Sequence, residues 1–117
     1  MKRDVVVLLT RSPHGRIHAG EGLRGARGVA AGFDHHDVTV IFTGDGVYGA
    51  RASADRDALG FGDQLAQLSE LGGTLIVDRA AMERRGLVPS SIAPDLRVEP
   101  GPAVIDRIHD ADCTLDF

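Results

Sequence analysis

The chain carries one cysteine, Cys113, and no tryptophan among its 117 residues. A lone thiol cannot make an internal disulfide, so the fold is expected to rest on packing alone, in a reducing compartment such as the cytoplasm. Cationic excess is also missing: thirteen Lys and Arg face seventeen Asp and Glu, for a net charge of −4. The basic residues are scattered, and the nearest approach to a cluster, Arg79, Arg84 and Arg85, is interrupted by apolar residues and has no aromatic neighbours to stack bases. Nucleic acid is therefore excluded as an expected partner. Long apolar runs are absent as well. The run from Val5 to Leu9 is closed by Arg11 and is too short for a membrane span or a secretory leader.

What is present is an alternation of two patterns. Continuous apolar, β-branched runs at Val5 to Leu9, Val38 to Phe42 and Leu75 to Val77 suit strands buried on both faces, as in a parallel sheet. Between them, residues 21–33 put Leu23, Ala26, Val29, Ala30 and Phe33 on one side of a helix, with Arg24 and Arg27 opposite. Residues 63–71 carry Leu65, Leu68 and Leu71 and stop at Gly72-Gly73, and residues 79–85 form a short helix ended by Gly86. Prolines at 89, 94, 100 and 102 leave room for a short strand at Leu96 to Val98. Pro102 then opens a helix expected to bury Val104, Ile105 and Ile108, with His109 near its end. The last segment, ADCTLDF, alternates, setting Ala111, Cys113, Leu115 and Phe117 on one face and Asp112, Thr114 and Asp116 on a wetter one, as at a sheet edge. Length and pattern together predict one α/β domain over 1–117, a three-layer sandwich around a mostly parallel sheet of about five strands.

Residues 20–25 read GEGLRG, the spacing of a dinucleotide-binding turn, and Asp45 stands twenty residues after Gly25, where a ribose-binding acid belongs. Such glycines work in the tight turn between strand and helix. Here nine residues, from Arg11 to Ala19, intervene, and Gly22, Gly25, Gly28 and Gly32 continue through the predicted helix. They are read as a stripe permitting close approach of a neighbouring element or subunit.

Three segments carry a family resemblance: SPHG followed by EGL in the first crossover, TGDGVYGA after the second strand, and VDRAAMERRGL from the third strand into its helix. Together they resemble the DsrE/DsrF family of small sulfur-relay proteins, and the TusC/DsrF branch most closely. The resemblance implies a compact α/β domain with a central, largely parallel sheet, assembly into homo- or hetero-oligomers with related subunits, and an association with sulfur-carrier proteins. It also implies a persulfide-bearing cysteine after the third strand, at the position matching Asp78. Aspartate keeps an anion there but cannot carry sulfur, and it is equally an ordinary helix N-cap. A non-catalytic subunit is therefore expected.

Other residues offer alternatives. Cys113 is the one remaining sulfur carrier, for a persulfide sulfurtransferase, although a free cysteine on an apolar face ordinarily serves packing. His14, Asp45 and Gly46 follow parallel strands at their carboxyl ends, where open α/β sheets collect ligands, and the same residues suit turns. A small-anion or nucleotide module at that edge is a further alternative. Glu21 suits the dipole of a helix start. His14 and His18 are four apart, but neither they nor His35-His36 complete a recognisable metal spacing, and no metal or cofactor is expected.

Overall fold

The computed structural model describes residues 2–32 and 34–117; the predicted core position Phe33 lies outside them. Five strands form, β1 (Asp4–Leu9), β2 (Asp37–Phe42), β3 (Thr74–Asp78), β4 (Arg97–Glu99) and β5 (Cys113–Asp116). Their order is β4-β3-β2-β1-β5, and every neighbouring pair is parallel. The central strands are the ones that read as continuous apolar runs, because both of their faces are covered.

Period-two alternation divides the core into two parts. Val5, Val7 and Leu9 of β1, with Val40, Phe42, Leu75 and Val77, face α1 (His18–Ala30) and α2 (Gln64–Glu70), which contribute Leu23, Ala26, Leu65 and Leu68. Val6, Ile41 and Ile76 point the other way and meet Val104 of α4 (Gly101–Asp110). The short helix α3 (Arg79–Arg84) leaves β3 directly and adds Ala81 and Met82 to the larger core. A sheet with helices on both faces is the predicted three-layer α/β arrangement. Burial at these positions contributes about 25 cal/mol per Å² of apolar surface removed from water, which makes the two cores the main source of stability.

Several expectations change in detail. The first helix starts three residues before Glu21, at His18, with Ile17 as a cap residue that offers no side-chain hydrogen bond. Arg27 is half-buried rather than solvated, since its Nε donates to Gln64 Oε1 at 2.7 Å and ties α1 to α2. Ile105 is 63% exposed, not buried. One stripe of α4 meets the sheet, through Val104 and Ile108, and Ile105 is turned about 100° away from Val104. Asp45 and Gly46, expected in a turn, lie in a 3₁₀ helix, Gly44–Ala50, that buries Val47 and Ala50.

β5 is an edge strand as expected, but all four of its residues are exposed. It lies outside β1, and Cys113, opposite Val5 in register, is solvent-exposed rather than packed. Ala111 also departs from the predicted face: it precedes the strand, caps α4, and packs with Val6 and Val104, whereas Phe117 packs against the larger core. Of the glycine stripe, Gly22 alone lies in close contact with a neighbouring element. A Cβ there would meet Leu9 Cδ2 at 2.7 Å and the Phe117 ring at 2.9 Å, while Gly28 faces open space.

Candidate functional site

Parallel strands bring their carboxyl ends to one side of the sheet, and the β1, β2 and β3 ends lead there to His14, Asp45 and Asp78. Asp78 ends β3 and caps α3, because its φ of −72° and ψ of 110° leave the chain extended just before the helix begins. Its Oδ1 accepts from the Ala80 N–H at 3.1 Å. Its Oδ2 accepts from the Thr43 hydroxyl, at the end of β2, at 2.8 Å. Both oxygens of the half-buried carboxylate are thus engaged by protein donors.

Asp45 is exposed and accepts from Arg85 Nε at 2.9 Å, while Arg85 Nη1 donates to the Ala81 carbonyl. This pair ties the 3₁₀ helix to the end of α3. Gly46 beside it is buried, and a Cβ at that position would fall on the Leu9 carbonyl oxygen. Its role visible in the structure is backbone packing against β1.

His14 has a different partner. Its Nε2 lies 3.1 Å from Arg51 Nη2, so the imidazole accepts there and carries its proton on Nδ1 when neutral. Arg51 in turn rests 5.4 Å from the centre of the Tyr48 ring and donates to the Tyr48 carbonyl. Among the described residues, no hydrogen bond or ion pair links His14, Asp45 and Asp78 to one another. His18 lies in the first turn of α1 with its Nδ1 buried and unbonded, so the two histidines do not form a pair on one helix. No group of three or more His, Cys, Asp or Glu suited to a metal ion occurs among the described residues.

Cys113 stands at the other end of the sheet. It is level with Val5 and Val38, near the starts of β1 and β2, whereas Asp78 is one residue beyond the Phe42–Val77 pair. With a rise of about 3.3 Å per residue and strands about 4.8 Å apart, the two positions are roughly 20 Å from each other. The structure therefore does not bring Cys113 together with His14, Asp45 or Asp78.

Thr43 and Arg85 are the participants that sequence reasoning did not single out. Thr43 has a signal in retrospect, as the residue ending the second apolar run, level with the acid that ends the third. Arg85 has none, because its partner depends on how the 3₁₀ helix folds back over α3.

No helix among the described residues is long and apolar enough to cross a membrane. No curated protein matches the sequence. Among solved structures, the YchN protein of E. coli is similar over 100% of both chains, with a TM-score of 0.80 and 18% identity. A protein of unknown function from Methanobacterium thermoautotrophicum, MTH1491, is similar over 100% of both chains with a TM-score of 0.76 and 12% identity. At such identities the likeness is one of fold. The profile of the DsrE/DsrF-like family matches residues 3–117, nearly the whole sequence, and the chain belongs to that family.

Proposed function

We propose that this protein is a non-catalytic, oligomeric subunit of a cytoplasmic sulfur-relay system, nearest the TusC/DsrF branch. In this reading it binds cysteine-bearing DsrE/DsrF-like subunits, or a sulfur-carrier protein, and carries no sulfur itself. Asp78 supports the reading: it occupies the position of the family's sulfur-carrying cysteine and is committed to Ala80 and Thr43. Persulfide transfer requires a thiolate that attacks the outer sulfur of a donor persulfide, forming a new S–S bond and releasing the donor thiolate. A carboxylate cannot perform that step, but it preserves the negative charge that a related subunit would meet at this corner.

A persulfide sulfurtransferase using Cys113 is the competing reading, and exposure of the thiol favours it. Its position opposes it, since Cys113 opens an exposed edge strand at the end of the sheet away from His14, Asp45 and Asp78. The two readings separate in a labelling experiment. The protein is mixed with a polysulfide donor, quenched by alkylation, and weighed intact over time. Cys113 is expected to gain sulfur no faster than free cysteine does, and the Asp78→Cys variant in a Cys113→Ser background is expected to gain one sulfur atom, about 32 Da, more rapidly. Tenfold faster loading of the natural protein, abolished by Cys113→Ser, would favour the carrier instead.

A further inference from the structure

The segment that resembles a dinucleotide turn has a property that sulfur relay leaves unused. Gly20, Glu21 and Arg24 line a cavity of about 350 Å³ together with Arg16 in the β1–α1 connection and the Ala58-Leu59-Gly60 segment. Gly20 sets its shape: a Cβ there would lie 3.0 Å from the Gly60 carbonyl oxygen, so this segment rests directly on the backbone of α1.

Size, wall chemistry and charge each restrict what fits. The volume falls at the lower end for small-molecule sites, which are mostly apolar with a few placed polar groups. Pro13, Leu59 and Ile17 line the cavity, and Ile17 is 75% exposed, leaving apolar surface to be covered by a ligand. The lining has two arginines and one acid. Arg24 is held by Glu21 at 3.2 Å, whereas Arg16 makes no hydrogen bond or ion pair with any described residue. One uncommitted guanidinium matches one carboxylate, in the fork geometry both groups favour. A phosphate dianion would need a second cation, and Arg24 is already paired with Glu21.

We infer that this cavity binds a small monocarboxylate with an apolar body, its carboxylate held by Arg16 and its hydrocarbon by Ile17 and Leu59. It shares no residue with the Asp78 corner, so this site and the relay reading stand or fall separately.

Titration with hexanoate, followed by amide NMR shifts, tests the assignment, with hexylammonium and inorganic phosphate as comparison probes. Hexanoate is expected to give saturable shifts confined to residues 15–24 and 58–60, and hexylammonium none. Arg16→Gln should weaken binding about tenfold, the loss expected for one charge-assisted hydrogen bond. Ala58→Trp fills the cavity without altering its charge and should abolish binding, with the amide spectrum reporting that each variant is folded. The site is overturned by absent or scattered hexanoate shifts, by equal binding of hexylammonium, by tighter binding of phosphate, or by an Arg16→Gln affinity within twofold of the natural protein.

Discussion

The Thr43 hydroxyl lies 2.8 Å from Asp78 Oδ2 and joins the carboxyl ends of β2 and β3 through side chains, just where their ladder ends. Asp78 also caps α3, so one carboxylate fixes the exit of a strand and the entry of a helix. Replacing it with alanine leaves the Ala80 N–H and the Thr43 hydroxyl without this acceptor. A loss of about 1–2 kcal/mol is expected, and Asp78→Asn should lose less because an acceptor oxygen remains for the cap. Urea denaturation midpoints at unchanged slope measure both.

Two glycines should respond in opposite directions. Gly46→Ala forces a methyl group onto the Leu9 carbonyl, and backbone rather than a flexible side chain must give way. A cost of about 2–3 kcal/mol is expected, or failure to fold. Gly28 is helical, exposed and open on its outer side, so Gly28→Ala should stabilise by about 0.5–1 kcal/mol through helix propensity alone. Thermal melts of the two variants provide the comparison.

Acid should unfold the protein partly through two arginine forks. Arg107 donates Nε to Glu99 Oε1 at 2.7 Å and Nη2 to Oε2 at 2.9 Å, and these hydrogen bonds hold the Glu99 carboxyl below its ordinary pKa. Arg56 does the same for Asp95. A carboxylate whose pKa is depressed by folding contributes stability that is fully present above the unfolded pKa and is lost as pH falls through the folded one. The loss therefore starts near roughly pH 4.5, the ordinary carboxylate range, and continues below it. The difference between natural protein and Glu99→Gln should narrow as pH is lowered through that window. Asp95→Asn should show a smaller effect, since the Asp95 side chain is 46% exposed against 14% for Glu99, and solvent screens it. Denaturation midpoints from pH 7 to pH 3 give both curves.

Cys113 should react with a maleimide in the folded protein as fast as a small-molecule thiol, because it is exposed on an edge strand. Cys113→Ser is expected to change stability by less than about 0.5 kcal/mol. Protection from the reagent, or a large loss on substitution, would show that another surface covers this strand.

The apolar runs made the central strands readable, since Val5 to Leu9 and Val38 to Phe42 need cover on two sides and a parallel sheet supplies it. What escaped the sequence depended on partners far away in the chain. Ile105 fits a helical apolar face, but α4 meets the sheet along a stripe too narrow to include it. Cys113 alternates with Leu115 and Phe117, yet of the three Phe117 alone reaches the larger core, where it lies against Gly22 of α1. The Asp78 position was readable through the motif that leads into α3. Its bond to Thr43 and the Arg85–Asp45 pair were not, since each joins residues separated by 35 to 40 positions.

β1 is paired on one side with β2 and on the other with a strand from the far end of the sequence; the Asp4 N–H reaches the Asp112 carboxylate across 108 residues. During synthesis the first strand can close its β2 side early, but its other flank waits for β4, α4 and β5 to emerge. Such long-range closure is slow, and an unsealed strand edge invites pairing with other chains. The sheet is finished by its last-made strand, so yield of folded protein should depend on how quickly that strand arrives as much as on the stability of the core it completes.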